Sequence, residues 1–324
     1  MEVHITDSLN FCRQFVGRKI KKVVWQATSN NFDQSKSNAA WNSKTDDYFA
    51  SGSWDDGSNN EVAIYRVETA PDCRQSEGTE TIFGEEKRFV KCASFLTSAD
   101  VMDLDYITSD KLIYCSSEGD LTLLNYNQAN SQLKRINRWT KLHDGCCTAL
   151  SVFGEEIVTV GEDGRLNFVN LSKMNDAKTS SISNLCEDKK PYSPFYSINR
   201  LGKNEIIAGN SLGQIMVVDL RSENGENFLP LVLPCLNRTG AATALEKHPA
   251  QPHLLIAGYQ SGDAGFWDLR SPNIPVFVSS AHSGPIWRAK FHPYYCNNFF
   301  TCGEDGRLIH WDISVVQKPV DRLE

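Results

Sequence analysis

Between residues 157 and 171 the chain reads IVTVGEDGRLNFVNL: a short apolar run, an acidic turn with one glycine, then apolar and polar residues in alternation. Residues 299–313, FFTCGEDGRLIHWDI, repeat that arrangement almost letter for letter. Alternation with period two places successive side chains on opposite faces of a strand, and the glycine supplies the positive φ that a tight hairpin turn requires. Variants follow at 112–126 (LIYCSSEGDLTLLNY), 206–221 (IIAGNSLGQIMVVDLR) and 255–270 (LIAGYQSGDAGFWDLR), with a looser copy at 48–67 (YFASGSWDDGSNNEVAIYRV). Each predicts a β-hairpin. A further strand is expected before each of the later hairpins, at 101–107, 148–153, 196–201, 243–248 and 286–293, and no helical period competes with them.

The turn glycines Gly119, Gly164, Gly213, Gly262 and Gly306 are 45, 49, 49 and 44 residues apart. That period is too long for an ankyrin or tetratricopeptide unit and matches one four-stranded propeller blade. A lone hairpin cannot bury its faces, so the units are expected to stack around a ring. Six are visible, at about 19–67, 99–126, 143–171, 194–221, 240–270 and 282–313. The stretches 87–95 and 135–142 are expected as outer strands, with EVHIT or NFCRQFV from the N-terminus completing the last blade.

These residues resemble the WD40 family. Phe266-Trp267-Asp268 and His310-Trp311-Asp312 carry its Trp-Asp signature. The resemblance implies a buried polar tetrad in the last unit: His282 before the first strand, Thr301 on the second, Asp305 in the turn and Trp311 on the third. Such a set fixes a blade through a fully paired network. The unit at 143–171 keeps His143, Thr159 and Asp163 but has Val169 in the tryptophan position. The expectation is an all-β WD40 propeller, one domain over 1–324, with polar loop insertions at about 26–47, 68–86 and 173–193. Six blades are visible; the family resemblance favours seven, and only eleven residues follow Ile313.

Composition narrows the function. The 324 residues are 40% hydrophobic and 23% charged, which suits a packed core, and the net charge is −7. An acidic chain is badly placed to displace counterions from phosphate, so nucleic acid is not expected as a partner. The N-terminus lacks a basic stretch followed by an apolar run, and no segment approaches 18 apolar residues, so membrane insertion is not expected. The ten cysteines contain no C-x-x-C pair and read as reduced core residues. Phosphate-binding, nucleophile-elbow and zinc-protease motifs are all missing, so no catalytic residue, metal or cofactor is expected. His248 and His292 each precede proline and read as turn residues; Glu162-Asp163 and Glu304-Asp305 occupy matching hairpin turns and read as structural. TSSIS at 179–183 reads as solvated loop. What remains is surface: Trp287, Tyr196 and Met102, near the start of first strands, are candidate contacts with a protein partner.

Several phrases sharpen the resemblance: KIKKVVW at 19–25, FASGSWDD at 49–56, ADVMDLDYI at 99–107, EIVTVGEDGRLNF at 156–168 and IWRAKFHPYYCNNFFTCGEDGRLIHWD at 286–312. In this order they are similar to the forty-three-kilodalton WD40 nucleoporins, subunits of the Y-shaped scaffold complex of the nuclear pore. The resemblance implies a non-catalytic subunit of a hetero-oligomeric assembly. It would dock on an α-solenoid nucleoporin of the short arm, support protein import and mRNA export at the nuclear envelope, and visit kinetochores in mitosis. A rival comes from Trp267-Asp268-Leu269-Arg270, the W-D-x-R of propeller receptors in cullin–RING ubiquitin ligases, echoed by Val218-Asp219-Leu220-Arg221. There Arg270 would pair with an adaptor carboxylate; a structural salt bridge between blades is the other reading of the same residue.

Overall fold

The computed structural model describes residues 17–26, 47–55, 57, 59–70, 86–173, 177–181, 193–222, 231–234, 240–292 and 294–314. The N-terminal strand expected to complete the last blade, and nearly all of the insertions at 26–47, 68–86 and 173–193, lie outside the described residues.

The described strands form six antiparallel sheets in chain order. The first contains β1 (Ile20–Trp25), β2 (Asp47–Ser53), β3 (Asn60–Ala70) and β4 (Glu86–Thr97). The second contains β5 (Val101–Tyr106), β6 (Lys111–Ser116), β7 (Leu121–Asn127) and β8 (Gln132–Trp139), and the third β9 (Cys147–Phe153), β10 (Glu156–Gly161), β11 (Arg165–Asn170) and β12 (Ala177–Ser181). The fourth is β13 (Phe195–Arg200), β14 (Glu205–Asn210), β15 (Ile215–Asp219) and β16 (Leu231–Leu233); the fifth is β17 (Ala242–Lys247), β18 (Leu254–Tyr259), β19 (Asp263–Asp268) and β20 (Phe277–Ser280). The sixth shows three strands among the described residues: β21 (Ile286–Phe291), β22 (Asn298–Gly303) and β23 (Leu308–Asp312). Consecutive strands pair within each sheet, so the architecture is a six-bladed β-propeller of the WD40 type.

Two compact units are present. One comprises residues 1–114 and 122–138; the other comprises 115–121 and 139–324. In the first unit, Val24, Ala50 and Ile64 of the first sheet pack on Val101, Leu104, Leu112 and Leu124 of the second. In the second unit each seam between successive sheets has its own apolar layer. Val158 and Val160 meet Ile198 and Ile206; Ile207, Ile215 and Leu233 meet Leu255, Ala257 and Trp267; Ile256 and Phe266 meet Ala289, Phe299 and Trp311. One face of each blade thus serves one seam and the opposite face the next, which is why the central strands are apolar on both sides.

The five turn glycines predicted from the period, Gly119, Gly164, Gly213, Gly262 and Gly306, all have φ between 69° and 91°. At Gly119 and Gly262 a side chain is excluded twice over, because a Cβ would also lie 2.3 Å from the carbonyl oxygen of His143 and His282 respectively. The tract at 173–193 differs from its expectation as pure insertion. Residues 177–181 form β12, pairing with β11 from Arg165↔Ser181 to Val169↔Ala177, so Thr179–Ser181 of the TSSIS run lie on a strand.

Candidate functional site

In the sixth blade, His282 is brought by the loop before β21, Thr301 by β22, Asp305 by the hairpin turn and Trp311 by β23. His282 Nδ1 lies 2.9 Å from Asp305 Oδ1, His282 Nε2 lies 2.9 Å from Thr301 Oγ1, and Trp311 Nε1 donates to Thr301 Oγ1 at 2.8 Å. A carboxylate only accepts, so Nδ1 carries the proton; Nε2 then accepts the threonine O–H, whose oxygen accepts the indole N–H. Asp305 also accepts backbone N–H bonds from Ser283 and Arg307 at 3.1 Å each. The His282 hydrogen bond, with these amides, pulls the Asp305 carboxyl down to about 2.

A hydroxyl donating to an imidazole that donates to a carboxylate has the connectivity of a nucleophile–base–acid triad. This set is buried: Thr301 is 1% exposed and its hydroxyl is covered by the Trp311 indole that donates to it. The network holds a blade together.

The third blade solves the same problem with a different fourth member. His143 bridges Asp163 Oδ1 and Thr159 Oγ1 at 2.9 Å each, and Val169 occupies the tryptophan register. Asn167, opposite Thr159, fills the space: its Nδ2 donates to the Leu142 carbonyl at 2.7 Å and lies 3.1 Å from His143 Nε2. Burial alone would raise the Asp163 carboxyl, but the His143 hydrogen bond and charge, together with the Arg165 and Asp144 amides, outweigh it and the group is held low.

In the fifth blade Trp267 is fully buried and in the register of Trp311, yet Ala257 stands where Thr301 does. Its Nε1 turns instead to Tyr259 Oη at 3.3 Å. Tyr259 occupies the position of Gly161 and Gly303, glycines whose Cβ would meet a histidine ring nitrogen at 2.5 and 2.7 Å. Where the loop brings no histidine, the phenol takes the vacant volume.

The histidines before proline are turn residues. His248 Nδ1 accepts from the N–H groups of Ala250 and Gln251 at 3.2 and 3.0 Å, and His292 Nδ1 from those of Tyr294 and Tyr295 at 3.1 and 3.0 Å. An Nδ1 that accepts leaves the neutral ring's proton on Nε2, so neither ring offers Nε2 as a metal ligand. Among the described residues no group of three or more His, Cys, Asp or Glu side chains is placed to hold a metal.

The candidate interface residues separate. Trp287 is 45% exposed and Tyr196 39%, whereas Met102 is half-buried. Trp287 and Tyr196 sit at β-bulges, between Ile286 and Arg288 and between Phe195 and Ser197, and a bulge turns its extra side chain out of the ladder. The same bulge holds Thr148 and Thr243 in the third and fifth blades. Their hydroxyls donate across the seam, Thr148 to the Phe195 carbonyl at 2.6 Å and Thr243 to the Ile286 carbonyl at 2.5 Å, while Ser197 donates to the Ala242 carbonyl at 2.7 Å. Sequence reading passed over these latches, since a strand threonine carries no cross-blade signal.

Arg270 departs from a salt bridge between blades. Its partner is in its own blade, two residues back: Nε lies 3.0 Å and Nη2 2.6 Å from the Asp268 carboxylate oxygens. Arg221 repeats the clamp on Asp219 with the same distances. Both guanidinium groups are about two-thirds exposed.

No family model matches the sequence. The chain is 29% identical to mouse nucleoporin Nup43 over 317 residues, covering 93% of this chain and 75% of that protein. Against human nucleoporin Nup43 the identity is 29% over 315 residues with the same coverage. The solved structure of Chaetomium thermophilum Sqt1, there bound to the N-terminus of ribosomal protein L10, superposes with a TM-score of 0.59 at 18% identity, covering 82% of this chain and 69% of that one. The Sqt1 likeness is one of fold. The Nup43 likeness runs through all six blades and supports a nucleoporin β-propeller role at the nuclear pore complex.

Proposed function

We propose that this chain, a WD40 β-propeller and a relative of the Nup43 nucleoporins, is a non-catalytic scaffold subunit of the Y-shaped complex of the nuclear pore. It docks on the α-solenoid nucleoporin of the short arm and supports import and mRNA export from that position. The observation that carries this reading is sequence likeness to Nup43 over 93% of the chain. Burial of both Thr–His–Asp sets, in the third and sixth blades, supports it, because a closed polar network serves rigidity. Partner contacts fall to exposed bulge residues, with Trp287 and Tyr196 ahead of Met102.

The cullin–RING reading rests on Arg270, which is exposed but already clamped on Asp268. An adaptor carboxylate would have to compete with that pair, which favours the scaffold reading. Fluorescence imaging of the tagged full chain is expected to show a nuclear-envelope rim, and kinetochore foci in mitosis, with scaffold nucleoporins co-purifying at stoichiometric yield. A diffuse signal, with a cullin adaptor recovered and then lost on Arg270→Ala, would overturn it.

A further inference from the structure

The outer strand β20 departs from the way the other blades protect their edges. β4 carries Lys87, Arg88 and Lys91, β8 carries Lys134, Arg135 and Arg138, β12 carries Lys178, and the short β16 is flanked by Pro230 and Pro234. Charges and prolines of this kind stop an edge strand from accepting another chain. Residues 271–281, SPNIPVFVSSA, contain no charge at all, and Pro275 lies before the strand begins.

Exposure along this stretch alternates with period two. Ile274, Val276 and Val278 are 70%, 47% and 42% exposed, while Phe277 turns inward and stacks on Phe266 at 5.3 Å. Among the described residues β20 is the terminal strand of its sheet and pairs on one side only, with β19. Val278 lies opposite Gly265, itself opposite Ala257, and Ala257 belongs to the apolar layer between the fourth and fifth sheets. Leu231, 41% exposed, lies opposite Val217 on the other wall of that layer. An established seam therefore continues outward as an exposed apolar strip.

We infer that the free edge of β20 is a docking site for an extended segment of a protein partner, added as a further strand, with apolar β-branched or aromatic residues at alternating positions set against Val276, Val278 and Leu231. The period selects a strand rather than a helix, whose contacts would recur every three to four residues. The missing charge selects an uncharged segment, since an acidic or basic strand would be desolvated there without a counter-ion. The inference rests on the reading of this chain as a docking scaffold and names the edge that does it.

The test uses the full chain and a synthetic peptide of alternating valine and threonine with lysine-capped ends. Hydrogen exchange of the amides between Val276 and Ser280 is expected to slow at least about tenfold at saturation. Val278→Lys, a change of the kind β4 and β8 carry naturally, is expected to weaken peptide binding at least about tenfold with an unchanged circular dichroism spectrum, while Val278→Thr binds like the parent. Absence of protection, protection confined to other strands, or equal binding by Val278→Lys overturns the inference. A dimer of the chain alone in sedimentation, dissolved by Val278→Lys, would assign the edge to a second copy and overturn it equally. A chain that lines the nuclear rim but shows no strand addition sinks this inference alone; strand addition without rim localisation sinks the scaffold reading alone.

Discussion

Trp311 and Thr301 are joined by an indole N–H donating to a hydroxyl at 2.8 Å, and the same hydroxyl meets His282 Nε2 at 2.9 Å. Thr301→Val keeps the shape and leaves the Trp311 indole N–H and His282 Nε2 buried without a hydrogen bond. At about 1–3 kcal/mol for each orphaned group, the loss is expected to be about 2–4 kcal/mol. Urea unfolding measures it, and Thr301→Ser, which keeps the hydroxyl, should recover most of it.

In the fifth blade, Tyr259→Phe removes the acceptor of the long 3.3 Å bond from Trp267. The expected cost is about 1 kcal/mol. Tyr259→Gly, which restores the residue found in the third and sixth blades, is expected to cost about 3–5 kcal/mol, because no histidine fills the cavity. Equal effects of the two changes in calorimetry would mean that the phenol does not replace the imidazole.

Thr243→Val deletes the hydroxyl that reaches the Ile286 carbonyl at 2.5 Å while retaining the branched side chain that suits the bulge. A loss of about 1 kcal/mol is expected, with faster hydrogen exchange at the start of β21. Unchanged exchange there would show that apolar packing alone holds the seam.

Acid should weaken the fold in two steps. Burial, aided by neighbouring His253, holds His248 below the usual imidazole range. The native state therefore binds this proton less readily than the unfolded chain, and stability begins to fall as pH drops below about 6.5. Asp305, drawn down to about 2, stabilises the fold above the ordinary carboxylate range, and its contribution is lost as pH falls from about 4 towards 2. His248→Asn keeps an acceptor for the Ala250 and Gln251 amides and is expected to flatten only the first step in a urea-midpoint series against pH.

Arg270→Ala is expected to leave the thermal midpoint and the recovery of nucleoporins unchanged. Its clamp on Asp268 is exposed and screened, and joins no two elements. A drop in nucleoporin recovery would move Arg270 into the interface.

The hairpins were legible because turn glycines and period-two alternation are backbone requirements written directly in residue type. The outer strand β12 was not. AKTSS has no apolar alternation, and it joins the sheet through backbone pairing with β11, which any polar sequence can supply. Asn167 was hidden for a related reason: its role depends on the volume Val169 leaves empty, and volume is a property of neighbours. The cue for the fifth blade was present, since the residue before the turn is glycine in both units that carry the histidine, tyrosine in the fifth, and serine or asparagine in the other three. The partner of Arg270 was equally readable: Asp-Leu-Arg occurs twice, and in both copies the arginine folds back on the aspartate two residues earlier.

The latches from Thr148, Ser197 and Thr243 all join first strands of successive blades, while β16 and β20 make no cross-blade hydrogen bond among the described residues. Stiffness is therefore graded along each blade of this unit, greatest where the first strands are stitched and least at the margin. Under tension the margin yields first, and it yields by sliding of side chains, with every latch intact. A unit built this way can carry load through its linked first strands while its outer strands adjust to whatever is fastened there.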